Sequence, residues 1–262
     1  MEHTARFEAL LQGPESAVPL DELALLVAWH AEPVIDIEHW RAELDDIASR
    51  CTDRSFAGVV RHVAIEGFNG NRADYYDPRN SYLHHVIDRR TGIPLTLSII
   101  TIEVGRRVGV PIVGIGLPGH FLVRHADDGD AFADPFEAML LDRDECRETF
   151  ESRHADIPFD ESYLAPTGNH AIAARLLGNL KSIHLAKRDR RALARVLALR
   201  VLVPGVPIEE RRELASALAA DGRFVEAAAA LDALAALAGT LGEAGMVEEA
   251  ERGATRLRAR LN

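Results

Sequence analysis

Residues 92–124, GIPLTLSIITIEVGRRVGVPIVGIGLPGHFLVR, carry the clearest structural signal of the chain. Residues 95–108 are apolar nearly all round, which predicts a buried helix. Pro94 suits the first turn of that helix, because no amide donor is needed there. Gly109 and Pro111 are typical helix-ending residues. The first half of this segment is therefore predicted to be a buried helix.

The second half of the segment, and the residues after it, show strand patterns. Residues 112–117 and 121–124 are predicted to be strands that meet at a turn containing Pro118. A turn at residues 127–129 leads to a third strand at residues 131–133. A buried helix followed by strands that return on themselves predicts an α+β core.

The residues before this core are predicted to be helical. Apolar spacing indicates helices at residues 20–29, 37–48 and 56–65. A polar, turn-rich segment follows and is long enough to be a functional loop. Asn80, at its end, is predicted to cap a short helix at residues 81–90.

The residues after about position 169 differ in composition from the core. They are rich in Ala, Leu and Arg and contain no strand signal. Two similar segments begin at Leu185 and Leu218, 33 positions apart, which is close to the roughly 34-residue period of tetratricopeptide hairpins. The C-terminal part is therefore either a simple helical tail or a tetratricopeptide-like region.

Composition limits the class of protein. The 262 residues are 47% hydrophobic and 27% charged, with a formal net charge of −11, which is the balance of a globular protein. The acidic total argues against general nucleic-acid binding. No membrane span and no signal peptide are recognised, so a cytoplasmic location is expected. The two cysteines, Cys51 and Cys146, have no metal-binding spacing and are expected to have no chemical role.

The order of buried helix, strand, His120 and Asp134 resembles the transglutaminase-like, papain-related fold. In that family a Cys opens the buried helix, a His lies on a following strand, and an Asp on the next strand orients the His. The resemblance covers residues 70–145 and places the family's His on His120 and its Asp on Asp134. It implies a papain-related core.

One position departs from the family pattern. The family's nucleophilic Cys corresponds to Pro94, which has no nucleophile. Thr96 points to another side of the helix, and Ser98 lies about 6 Å further along the axis. Both hydroxyls are interpreted as buried groups that bond to the helix backbone, with Ser98 kept as the alternative nucleophile.

A finer resemblance extends over NSYLHHVIDRRTGIPLTLS, LPGHFLVR and DPF. These strings look like the SirB-type branch of transglutaminase-like proteins, whose members are bacterial, lack the catalytic Cys and often carry a tetratricopeptide-like C-terminal region. Together with the helical spacing before it, the resemblance leads us to expect an N-terminal helical region at residues 1–70 packed on the core, the core itself at residues 71–165, and an all-α helical-repeat region at residues 166–262.

Three roles are open for His120 and Asp134. They could hold the strands together, line a cleft that binds an extended peptide or a small ligand, or support residual hydrolysis or acyl transfer. The predicted cleft contacts are Asn80, His85, Pro94, Thr96 and Arg124.

Cofactor and metal sites are not expected. The glycines at 114, 116 and 119 match a dinucleotide fingerprint, but no helix follows them to receive a pyrophosphate. A metal site of His84, His85, His120 and Asp134 is set aside. Adjacent histidines project about 100° apart on a helix, so at most one of them would face a ligand cluster; His85 could join His120.

The leading hypothesis is a non-catalytic interaction or regulatory protein that binds a protein partner through its C-terminal helical region. The alternative is a hydrolase or acyltransferase of the cysteine-protease-like superfamily, in which a displaced nucleophile works with His120 and Asp134. An enzyme must place a hydroxyl or thiol within roughly 3 to 4 Å of the His120 ring. No nucleic-acid or membrane partner is expected, and the oligomeric state is left open.

Overall fold

The computed structural model describes residues 2–261, and these form α-helices together with two small sheets. The prediction of a mixed helical and sheet structure followed by an all-α C-terminal region is confirmed. The chain divides into two compact units, one ending at Leu176 and the other beginning at Leu177. Within the described part of the chain, every helix is too short or too polar to cross a membrane.

The first unit begins with four helices, of which the last three were predicted. Asp36 caps the third through the amides of residues 38 and 39, and Ser55 caps the fourth through the amide of Gly58. The helices are α1 (Glu2–Gln12), α2 (Leu20–Ala31), α3 (Ile37–Ser49) and α4 (Phe56–Ile65).

A short parallel strand pair, β1 (Asn69–Gly70) and β2 (Thr91–Gly92), encloses the next helix, α5 (Leu83–Arg89). The prediction that Asn80 caps this helix is wrong. The capping position is Tyr82, and Asn80 ends a 3-10 turn before it. The Asn80 amide bonds instead to groups of the preceding loop.

The predicted buried helix is α6 (Pro94–Val108), and it begins at Pro94 as expected. The Thr96 hydroxyl accepts a hydrogen bond from the Ile93 amide at 3.1 Å, which caps the first turn. Gly109, with φ of +81°, ends the helix in the left-handed conformation.

An antiparallel five-stranded sheet follows, in the order β6-β5-β4-β3-β7. Its strands are β3 (Ile112–Ile115), β4 (Leu122–His125), β5 (Phe132–Asp134), β6 (Met139–Leu141) and β7 (Pro166–Thr167). Helix α7 (Arg143–Glu151) covers this sheet and contributes Cys146 and Phe150 to a core with Leu122 and Phe132. The first three strands were predicted, whereas β6 and β7 are too short to show a pattern.

A buried carboxylate connects α2 to α6. Asp21 is fully buried, and Arg107 donates to its carboxylate at 2.6 Å. Burial opposes ionisation of Asp21, but the hydrogen bond and charge of Arg107, the Glu22 amide and the charge of Arg41 together outweigh it and lower the pKa of this carboxyl. The Leu20 amide also donates to Glu103 at 3.0 Å. The N-terminal helices are therefore attached to α6 by charge as well as by apolar packing.

The described residues beyond the sheet are helical. The helices are α8 (Asn169–Ala186), α9 (Arg190–Arg200), α10 (Glu210–Ala220), α11 (Phe224–Thr240) and α12 (Ala244–Arg258). Left-handed residues Arg188, Gly222 and Gly242 lie in the turns that follow α8, α10 and α11. Both segments of the suspected repeat are thus helix–turn–helix units, and the tetratricopeptide-like assignment remains a prediction.

Candidate functional site

His120 and Asp134 form a buried hydrogen-bonded pair. His120 directly precedes Phe121 and strand β4, and Asp134 ends the neighbouring strand β5. His120 Nε2 lies 2.6 Å from Asp134 Oδ2, and the two residues are only 4% and 3% exposed. The antiparallel pairing of β4 and β5 therefore brings together the two residues that the sequence singled out.

The Asp134 carboxylate is also held by backbone. Its second oxygen, Oδ1, accepts hydrogen bonds from the amides of Phe136 at 2.9 Å and Glu137 at 3.3 Å. These bonds fix the direction of the carboxylate, which in turn orients the His120 ring. A carboxylate favours a proton on the Nε2 that faces it, so Nδ1 is the nitrogen that can accept a proton or a ligand hydrogen bond.

The turn before His120 is clamped by Arg175. Arg175 Nη2 donates to the carbonyl of Leu117 at 3.0 Å and to that of His120 at 2.5 Å, and its guanidinium lies 5.2 Å from the centroid of the Phe121 ring. Burial lowers the pKa of Arg175. Gly119 adopts φ of +71° in this turn, which glycine tolerates best. Sequence reasoning missed Arg175, although a charged residue within the apolar run AIAARLL was a signal.

Aromatic side chains form one wall beside His120. The Phe136 ring stands edge-on to His120 at 6.2 Å, and Tyr75 stands edge-on to Phe136 at 6.4 Å. Tyr76, 72% exposed, lies next to Tyr75. Sequence reasoning did not identify this wall, because its members come from two loops without regular spacing.

Asn80 organises the loop that carries these tyrosines. Its Nδ2 donates to the carbonyls of Asp74 at 2.7 Å and Tyr75 at 3.2 Å, and its Oδ1 accepts from Asn71 at 3.0 Å. The Asn80 carbonyl accepts from the Thr96 hydroxyl at 2.8 Å. Asn80 and Thr96 therefore connect the loop to the start of α6.

Pro94 and Ser98 are both buried residues of α6, and neither is hydrogen-bonded to the His120 ring. Pro94 is buried at the first position of α6. Ser98 was expected to bond to the helix backbone, but its buried hydroxyl has no hydrogen-bond partner among residues 2–260. Across the same residues, Asp134 is the one side chain hydrogen-bonded to the His120 ring.

Neither thiol is activated. Cys146 is fully buried in the sheet core, and burial raises its pKa to about 12. Cys51 is also buried, and burial raises its pKa. Both thiols are therefore protonated at neutral pH and hidden from substrates.

The two remaining predicted contacts lie in other surroundings. Arg124 is 5.9 Å from the centroid of the Phe132 ring and donates to the Leu164 carbonyl at 3.5 Å. The helix argument required that at most one of the adjacent residues His84 and His85 face a given cluster of ligands, and this is not what the structure shows. Both His84 and His85 direct Nε2 at the carboxylate of Glu32, at 3.2 Å and 2.9 Å. The sequence argument about adjacent histidines is therefore wrong at this position, because one carboxylate reaches both side chains with its two oxygens.

A comparison with protein families identifies the region that contains this site. A sequence model described as the transglutaminase-like superfamily matches residues 38–178. That range includes α3 to α6, the sheet, the His120–Asp134 pair and Arg175.

Similar proteins occur in bacteria and in animals. A UPF0162 protein of Xylella fastidiosa is 38% identical over 213 residues, which cover 74% of this chain and 75% of that protein. A UPF0162 protein of Pseudomonas aeruginosa is 31% identical and covers 70% of each chain. The human F-box only protein 21 is 41% identical over 76 residues, 29% of this chain and 12% of that protein. No solved structure matches the chain.

Proposed function

The chain belongs to the transglutaminase-like superfamily, and we propose that it is a non-catalytic member that acts by binding a protein partner. In this proposal the core is papain-related and the chain falls in the SirB-type branch, with a tetratricopeptide-like C-terminal region and a cytoplasmic location. The His120–Asp134 pair serves as a structural element between two strands.

The observation that carries this proposal is Pro94 at the start of α6. The family's nucleophile corresponds to this position, and covalent acyl transfer requires a nucleophile within hydrogen-bond reach of its base. Within the described part of the chain, no hydroxyl or thiol is hydrogen-bonded to the His120 ring. The imidazole and carboxylate are thus oriented, but neither is hydrogen-bonded to a hydroxyl or thiol of the described residues that could act as the nucleophile, which supports a non-catalytic role.

A groove in the second unit supports partner binding. It has a volume of about 350 Å³ and lies among α10, α11 and α12. Apolar surface from Ala215, Leu231 and Ala250 contributes to its lining. Its charged lining residues are Arg212, Glu249, Arg256 and Arg260.

The charge of the groove favours an acidic segment. Arg212 is paired with Glu249 at 2.9 Å, whereas Arg256 is exposed and forms no ion pair with any described residue. The groove has more positive than negative side chains, although the whole chain is acidic. Its chemistry fits a partner helix or tail that carries apolar side chains flanked by Asp or Glu.

The test is identification of the partner followed by direct binding. Proteins that the full chain captures from lysate are identified and purified. Each is then titrated against wild type, Arg256→Glu and Ser216→Trp. The tryptophan at exposed position 216 narrows the groove. We expect both variants to weaken binding about tenfold or more. Arg191→Glu, an equal charge reversal on exposed α9 surface, is the matched control and keeps wild-type affinity.

Catalysis is tested on the same proteins. Wild type and His120→Ala are compared on ester, thioester and amide substrates, including the identified partner. Equal, background-level turnover supports the proposal. Turnover that disappears in His120→Ala while the fold survives would falsify it and favour an enzyme with a displaced nucleophile.

A further inference from the structure

Glu32, His84 and His85 form a second histidine–carboxylate group in the first unit. Glu32 lies directly after α2, and the two histidines occupy the first turn of α5. Each histidine directs Nε2 at a different oxygen of Glu32, at 3.2 Å for His84 and 2.9 Å for His85. One donor atom from each of the three residues lies within 4.8 Å of the other two.

We infer that Glu32, His84 and His85 bind a divalent transition-metal ion of the zinc type. Two imidazole nitrogens and one carboxylate are a donor set that suits such ions. Bond lengths of about 2.0–2.1 Å to a tetrahedral zinc place neighbouring donors about 3.3 Å apart. The two nitrogen–oxygen separations here, 3.2 Å and 2.9 Å, are close to that value, and the donor atoms all lie within 4.8 Å of one another. The side chains therefore have to rearrange around an ion, but the backbone already brings the three donors together. Three protein donors leave a fourth position for water or another ligand.

Hydrogen bonding alone is a poor account of the group. The His84 and His85 rings are 4.0 Å apart, so two imidazolium charges would repel each other. His84 is buried, and its Nδ1 has no hydrogen-bond partner among the described residues, which costs stability. A buried histidine that lowers the stability of the fold and directs its other nitrogen at a shared carboxylate is typical of a binding site.

The group is accessible to an ion from solvent. The Glu32 side chain is 40% exposed and that of His85 25%, whereas that of His84 is 5% exposed. Trp40 and Tyr82 stand beside His84 at 5.9 Å and 6.4 Å between ring centroids. His84 is thus packed in the protein interior, whereas Glu32 and His85 are open to the solvent from which an ion would bind.

The experiment is a titration of chelator-treated full-length protein with Zn²⁺ by calorimetry, and with Co²⁺ by visible absorption. Wild type is expected to bind one equivalent and to give the intense bands of tetrahedral Co²⁺. Glu32→Gln and His85→Asn are expected to weaken binding at least 10- to 100-fold, since even supporting residues of metal sites have effects of that size.

The control is His39→Gln, which removes an exposed imidazole next to Trp40 and leaves the three ligands intact. It is expected to bind like wild type. Circular dichroism confirms that every variant is folded. Absence of stoichiometric binding in wild type, or equal affinity in wild type and Glu32→Gln, would show that the group is a hydrogen-bonded contact only. The outcome is independent of the proposed function, because no step of partner binding or catalysis enters it.

Discussion

Two histidine–carboxylate groups of the first unit differ in how completely they are enclosed. The His120–Asp134 pair is 4% and 3% exposed, and Asp134 also accepts two backbone amides. Glu32 is shared by two histidines, and its side chain is 40% exposed. In the first group both carboxylate oxygens accept hydrogen bonds from protein groups in the interior, whereas the carboxylate of the second group is partly open to solvent. In our proposals the same residue types serve a structural contact in one place and a binding site in the other.

The largest expected effect is the loss in free energy of unfolding when the His120–Asp134 pair is broken. Asp134→Ala leaves a buried imidazole and two backbone amides without their acceptor, so we expect the free energy of unfolding to fall by about 3 kcal/mol. Glu32→Ala, measured without metal, also leaves the buried His84 ring without its acceptor, but it is expected to cost less than Asp134→Ala because Glu32 and His85 are partly solvated and no backbone amide of the described residues loses its acceptor. Urea unfolding of both variants checks this, and equal losses would contradict the difference in enclosure.

Zn²⁺ is expected to stabilise the protein through the Glu32, His84 and His85 group and not through the His120–Asp134 pair. At a Zn²⁺ concentration 100 times its Kd, binding to the native state raises the free energy of unfolding by about 2.7 kcal/mol. We expect this gain in wild type and in His120→Asn, and no gain in Glu32→Gln. Denaturation with and without Zn²⁺ measures it. If His120→Asn abolishes the Zn²⁺-dependent gain in the free energy of unfolding, the metal binds at the His120–Asp134 pair and the proposed site is wrong.

Arg175 is expected to contribute to the rigidity of the enclosed pair. Arg175→Met removes two hydrogen bonds to the turn before His120, and charged donors of this kind contribute about 2 kcal/mol. We expect a loss of that size in unfolding measurements and faster amide hydrogen exchange at His120. Arg153→Met, which removes a bond from an exposed side chain to Thr149, should change stability by less than about 0.5 kcal/mol. If Arg175→Met and Arg153→Met lose a similar free energy of unfolding, the two hydrogen bonds of Arg175 do not stabilise the turn before His120.

The smallest expected effect concerns the thiols. Cys146 has its pKa raised to about 12 by burial, so at pH 8 it stays protonated and inaccessible. We expect no modification of native protein by a thiol reagent over hours, and modification of both cysteines in denaturant. Rapid native modification of Cys146 would mean that a thiolate is available and would reopen thiol chemistry for the chain.

The fold of the core could be predicted where the signals are local. The limits of α6 follow from Pro94, an apolar run and Gly109, all within one segment. The third and fourth strands show apolar patterns long enough to recognise, whereas β7 spans only Pro166–Thr167 and pairs with distant Gly114. A two-residue strand is formed by its partner, so its own sequence carries no signal.

The site was predicted in part, for the same reason. The family resemblance singled out His120 and Asp134, and the antiparallel pairing of β4 with β5 brings the two residues together. Asn80 was assigned as a helix cap from its position, but its side chain bonds to Asn71 and to two loop carbonyls. Arg175, from a helix 55 residues after His120, could not be placed without the fold.

The sequence by itself predicted α2 to α6 and the three main strands, because periodicity and turn chemistry act on residues close together in the chain. The resemblance to the transglutaminase-like family singled out His120 and Asp134 and placed the family's nucleophile position on Pro94. Only the tertiary structure decided that Arg175 holds the turn before His120 and that Glu32 brings both His84 and His85 to one carboxylate. Glu32 lies 52 residues before His84, and the direction of a side chain across such a separation is set by packing between helices.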